Sequence, residues 1–142
     1  MNFNNFTIKS QEAVQQAIQL VQSRGQQAIE AEHLLAGVLK VGENVTNFLF
    51  QKLGMNGLQI NNVLDKQISS LPKVTGGEPY LSRTANEVLQ KAVELSKSLG
   101  DEYVSLEAML LALLNVKSTV ATILKDAGMN EKDLRAAIEE LR

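Results

Sequence analysis

Residues from about Thr7 to Ile68 recur as about Ser82 to Arg142, displaced by 75 positions and later by 74, and this duplication constrains the fold more than any other feature of the chain. The helix-and-loop pattern is repeated rather than the wording. Ala17-Ile18-Gln19-Leu20 lies on Ala92-Val93-Glu94-Leu95, Gly25 on Gly100, and the run Glu32 to Leu39 on Glu107 to Leu114, while Gly54-Met55-Asn56 returns unchanged as Gly128-Met129-Asn130. A period near 75 is too long for the stacked units of a solenoid, and two copies read as a duplicated half-domain. Each half is then expected to bury its apolar faces against the other.

The spacing predicts helices throughout. Val14, Ala17, Ile18 and Val21 follow i, i+3, i+4, i+7 with glutamines on the opposite face, the mark of one buried helix side. Three further stripes follow: Ala31, Leu34, Leu35 and Val38; Val45, Phe48, Leu49 and Leu53; Ile60, Val63, Leu64 and Ile68. The second half repeats all four, from Ala85–Val93, Leu106–Leu113, Val120–Ala127 and Leu134–Leu141. The expected fold class is all-α, an eight-helix domain made of two pseudo-twofold-related four-helix repeats. Thr7 and Ser82 stand where a hydroxyl can accept from an unpaired backbone N–H at a helix start. Gly54 and Gly128 suit the left-handed turn that closes a helix, and Asn56 and Asn130 can cap the next. Residues 69–81 hold Pro72, Gly76, Gly77 and Pro79 and no helical stripe, so they form the one long connection between repeat 1 (about 7–68) and repeat 2 (about 82–142).

At 142 residues and 44% hydrophobic composition one core suffices,. The net charge of −2 gives no footprint for nucleic acid or an anionic membrane,. With no cysteine, disulfides, thiolate nucleophiles and cysteine metal sites are excluded, and a cytoplasmic location is the expectation. The longest apolar run, Ala108 to Leu114, has only seven residues, far short of a membrane span. No phosphate-binding glycine loop, dinucleotide fingerprint, His-Glu-x-x-His or nucleophile elbow occurs,. The chain is therefore expected to hold no metal or cofactor and to carry no catalysis. His33 is the single histidine, read as structural, and Glu30 and Glu32 near a helix start are read as favouring the helix dipole. Met55 and Met129 read as core filler.

The duplicated pattern, together with Glu32-His33-Leu34-Leu35, Leu71-Pro72-Lys73-Val74-x-Gly76-Gly77, Pro79-Tyr80-Leu81-Ser82 and Gly100-Asp101-x-Tyr103-Val104-Ser105-x-Glu107, resembles the Clp amino-terminal domain over essentially the whole chain. Within that family the connection and the second-half motif are most similar to the ClpB-type disaggregases. ClpC-type domains typically carry a Glu-His pair in both halves, whereas this second half has Glu107-Ala108. The resemblance implies a single domain at the front of a hexameric AAA+ chaperone, with ATP and magnesium belonging to ATPase modules outside this chain. The helical pattern running up to Arg142 is what a domain taken from such a chain is expected to show.

Without chemistry, such a domain acts by binding. The resemblance implies partners that are unfolded or aggregated polypeptides, the rest of the parent chain in its hexamer, and a co-chaperone system; the isolated domain is expected to be a monomer. Family positions implicated in substrate binding fall on Thr7, Asp101 and Glu107. Leu95, Tyr103 and Val104 are expected to line the same groove with apolar surface. Thr7 also reads as an N-cap and Glu107 as a dipole partner. Asp101, expected in an exposed loop where the first half has Gln26, is not demanded by the repeated fold. Tyr103 replaces Ala28 and has two readings, a contact platform or a core plug. The alternative function is docking of an adaptor, as in ClpC or ClpA relatives.

Overall fold

Each of the eight apolar stripes forms a helix in the computed structural model, which describes residues 2–142. Among the described residues these are α1 (Ile8–Ser23), α2 (Ala31–Val41), α3 (Glu43–Lys52), α4 (Gly57–Ser69), α5 (Arg83–Ser98), α6 (Leu106–Asn115), α7 (Thr119–Asp126) and α8 (Glu131–Leu141). The hydroxyls of Thr7 and Ser82 accept from the N–H groups of Ser10 and Ala85 at 3.1 and 3.0 Å. The Asn56 and Asn130 side chains accept from Gln59 and Asp133 at 3.1 and 2.9 Å. Each cap satisfies a donor that the helix itself leaves orphaned. Gly54 and Gly128 adopt positive φ at the turns just before those two asparagines.

Helices α2 and α6 form the centre. From Ala108 to Leu114 every residue of α6 is buried, the placement required of a helix apolar on all sides. Helix α1 packs on α2, α5 on α6, and α2 on α6. The halves also meet where α3 touches α8 and α4 touches α7. Under the sequence displacement α3 corresponds to α7 and α4 to α8, so these are one contact made twice with the halves exchanged. Met55 and Met129 are buried in the core. Gly37 explains how closely α1 approaches α2: a Cβ built there would overlap the carbonyl of Ala13 and stand 3.4 Å from the Ala17 nitrogen. Ala112 occupies the matching position of the second half.

Two short parallel pairings depart from the purely helical expectation. β1 (Ala28–Ile29), between α1 and α2, pairs with β2 (Tyr80–Leu81), which enters α5. Phe6, entering α1, bridges Val104, between α5 and α6. The Ser82 N–H donates to the Ile29 carbonyl and the Thr7 N–H to the Val104 carbonyl, both at 3.0 Å. A shift of 75 turns one pairing into the other. Each half therefore lends its entering strand to the loop of its partner half. Two-residue strands are too short to show alternation, so periodicity does not reveal them.

Candidate functional site

The Phe6–Val104 bridge brings the entry to α1 beside the α5–α6 loop, and this gathers most of the residues singled out in the sequence. Gly100, at positive φ, ends α5 and hands the chain to Asp101. Ser105 caps α6 by accepting from the Ala108 N–H at 3.1 Å, which sets Glu107 in the first turn. The Arg142 guanidinium spans the two acids. It donates to both Asp101 carboxylate oxygens at 2.8 Å, to Glu107 Oε1 at 3.3 Å and to the Ser105 hydroxyl at 3.4 Å. The fork geometry fits a bidentate carboxylate pair. The hydrogen bonds that Arg142 donates to Asp101 foremost, then the charges of Glu107 and Asp101, push the Arg142 pKa up against the opposing effect of burial.

The first half builds the same corner from neutral groups. Gln26, the counterpart of Asp101, is buried. The Glu30 N–H donates to His33 Nδ1 at 2.9 Å, which leaves the ring proton on Nε2, 2.7 Å from Gln26 Oε1. Gln26 Nε2 then donates to the Ile68 carbonyl at 2.6 Å. Burial, with a smaller contribution from the Arg24 charge, lowers the His33 pKa to about 4,. His33 is thus a fully satisfied core histidine, as read from the sequence. In the second half Ala108 replaces the ring, and a charged, partly open corner takes the place of the buried one.

Three expectations about this corner are corrected. Val104 is 1% exposed and Leu95 8%, so neither lines a groove; Val104 fills the core beneath the strand bridge and Leu95 seals the end of α5. Asp101 is not an open loop residue, since its side chain is 21% exposed and clamped by Arg142. Tyr103 is no core plug, with half its surface exposed. The sequence reading missed Ile8, which is 75% exposed directly after Thr7. Its signal was present as a departure from the repeat, because Arg83 holds the matching position. Thr7 is half-buried and bonded to the loop through its backbone. The corner therefore offers apolar surface from Ile8 and Tyr103, and two carboxylates already holding a guanidinium.

Among the described residues no group of three or more His, Cys, Asp or Glu side chains could hold a metal ion. No single helix among the described residues is long and apolar enough to cross a membrane.

The sequence model of the Clp repeat (R) N-terminal domain family matches residues 5–127. The chain is 78% identical over 142 residues to a chaperone protein ClpB of Bacteroides thetaiotaomicron and 54% identical to one of Porphyromonas gingivalis. All of this chain is covered in both comparisons, yet it spans only 16% of either relative. Among solved structures, the Hsp104 N-terminal domain of Candida albicans superposes with a TM-score of 0.84 at 23% identity, covering 98% of this chain and 92% of that one. A ClpV N-domain in complex with a VipB peptide gives 0.77 at 22% identity, covering 93% and 83%. These two likenesses establish the fold.

Proposed function

Because this chain belongs to the Clp repeat N-terminal domain family, and to its ClpB branch, we propose that it is the substrate-engaging module of an ATP-dependent disaggregase, receiving unfolded or aggregated polypeptides for AAA+ modules elsewhere in a longer protein. The single observation that supports this most is the 78% identity to a ClpB chaperone along the full chain. It favours the disaggregase reading over adaptor docking of the ClpC or ClpA kind. The surface we assign to the task is the corner where Thr7, Asp101 and Glu107 meet, with Ile8 and Tyr103 as its apolar contacts. Exposed apolar groups framed by charge suit a receiver of many sequences. A relative of the same fold, the ClpV N-domain, holds a peptide, which is consistent with a domain that works by binding alone.

Binding is expected to be weak, roughly millimolar to micromolar or about −4 to −8 kcal/mol, since a client must pass on into the machine. Titration of a labelled unfolded protein into Asp101→Ala and Glu107→Ala, followed by amide chemical shifts, tests the assignment. Both substitutions should weaken client binding and move the shifts of Ile8 and Tyr103. They also release Arg142, whose pairs with the two acids are only partly open to solvent, so a loss of stability on the order of 1 kcal/mol is expected alongside. Shifts centred on Gln26, Ala28 and Glu32, or unchanged affinity in both variants, would overturn this surface and favour adaptor docking.

Nucleotide should leave the melting temperature of this chain unchanged, because it has no glycine-rich phosphate loop with a lysine,. A rise that saturates with added ATP as ligand linkage requires would contradict the assignment of ATP to other modules.

A further inference from the structure

Both halves tie the end of their fourth helix to the corner between their first two, and the two ties differ in kind. In the first half the tie is buried and neutral. Gln26, 6% exposed, donates from Nε2 to the Ile68 carbonyl at 2.6 Å, and Gln67 donates to Oε2 of Glu32, itself 7% exposed, at 3.3 Å. A displacement of 75 carries Gln26 and Glu32 onto Asp101 and Glu107, and one of 74 carries Ile68 onto Arg142. In the second half a charged side chain at the surface therefore makes the connection that a backbone carbonyl and a side-chain amide make inside the first.

The Arg142 side chain covers the acids it binds. It is 36% exposed, against 21% for the Asp101 side chain and 14% for that of Glu107, so solvent reaches the guanidinium more readily than the carboxylates beneath it. Both oxygens of Asp101 and Oε1 of Glu107 are engaged. An ion pair that is partly open to water contributes little net stability, and a second cation can take the place of the first. Helix α8 is seated in the core by Leu134, Ala137 and Ile138 rather than by Arg142, whose own N–H donates to the Glu139 carbonyl at 3.3 Å. The guanidinium can thus leave while only the last turn of α8 loosens.

We propose that Arg142 is an autoinhibitory latch: its guanidinium occupies the place on Asp101 and Glu107 that a basic side chain of a client takes, and a client engages these acids by displacing it. The latch presupposes the corner as the client-binding surface and adds its regulation. Asp101 and Glu107 are free only in the fraction of molecules whose latch is open, so the measured affinity for a basic client is lowered by that fraction. A client arginine reproduces the bidentate bonds that Arg142 gives up. Opening also unties the end of α8, so occupancy of the corner is transmitted to the helix that leads to the C-terminal end of the chain.

Two labelled eight-residue peptides, one alternating leucine with arginine and one alternating leucine with glutamate, test this on the 142-residue chain and on Arg142→Gln and Lys97→Gln. Lys97 is exposed on α5 and stands outside the clamp, so its variant removes the same charge without touching the latch. In the parent chain the arginine peptide should move the amides of Ile8 and Tyr103 and, with them, the side-chain Nε–H of Arg142 and the amides of Glu139 and Leu141. Arg142→Gln should tighten the arginine peptide about fivefold, the scale of one partly open ion pair, and leave the glutamate peptide no tighter. Lys97→Gln should change either peptide by less than about twofold. If Arg142→Gln does not fold, the displacement of Arg142 in the parent chain decides alone. The latch is overturned if Ile8 and Tyr103 respond while Arg142→Gln binds the arginine peptide no tighter than the parent, if Lys97→Gln tightens it as much, or if the Arg142 Nε–H does not move as the peptide saturates. A gain for the glutamate peptide equal to that for the arginine peptide would also overturn it, since clearing of space rather than release of the acids would then be at work. A peptide that moves neither Ile8 nor Tyr103 even in Arg142→Gln would instead remove the corner itself as the binding surface, and the latch with it.

Discussion

Replacing Gly37 with alanine is expected to destabilise the domain by at least about 3 kcal/mol, the upper end of what overpacking costs. The added methyl would collide with the Ala13 carbonyl and come within 3.0 Å of its carbon. Both are backbone atoms in the middle of α1 and no rotamer change can move them aside. Helix α1 would have to shift off α2, dragging Thr7 and the Phe6 strand away from Val104. Better intrinsic helix propensity of alanine, about 1 kcal/mol, offsets only part of this. The melting temperature should fall by about 8–12 °C for a chain of this size. Ala112→Gly, at the matching place in α6, should lose only about 1 kcal/mol from helix propensity, plus a smaller packing loss. Thermal unfolding of both variants checks the pair, and a Gly37→Ala protein melting within about 2 °C of the parent would show that α1 is not tightly seated.

Acidification should remove a second block of stability through His33. The ring is held neutral chiefly by its burial and secondarily by the Arg24 charge, and a proton on Nδ1 would also break the hydrogen bond it accepts from the Glu30 N–H. With its pKa lowered to about 4 in the folded chain against about 6.5 unfolded, the unfolded state binds more protons between these values. The stabilising contribution is therefore complete above pH 6.5 and is lost as pH falls towards and through 4, by roughly 3 kcal/mol in all. Urea unfolding from pH 7.5 to 4 should trace this loss. His33→Gln should flatten the slope between pH 6.5 and 5, where few carboxylates titrate. An unchanged slope in that variant, or an imidazole seen by NMR to titrate near 6.5 in the folded protein, would contradict the buried assignment.

What the sequence made legible follows physical scale. Helices of ten or more residues carry several turns of periodic signal, and the caps at Thr7, Asn56, Ser82 and Asn130 depend on local geometry alone. The strand exchange was illegible because two residues hold no period and their partners lie in the other half. At the corner, Asp101, Glu107 and Thr7 could be picked by residue type and place in the repeat. Burial could not: Val104 and Leu95 look like their surface neighbours until the bridge and the α5 terminus put them inside. Nor could the Arg142 clamp be read, because a residue 41 positions from Asp101 has no local signature. Ile8 was readable only as a departure from the repeat, where it stands against Arg83.

The exchange of strands also sets a clock on synthesis. Phe6 is paired with Val104, almost a hundred residues later in the chain, whereas the loop that its own half forms waits for Tyr80 and Leu81. At about 5–20 residues per second, the first strand leaves the ribosome roughly 5–20 seconds before the loop that receives it. During that interval Phe6 and Phe3, which stack edge to face in the finished domain, have no cover from the second half. A nascent chain of this protein thus carries, for several seconds, the kind of uncovered aromatic segment that the completed domain is proposed to take hold of.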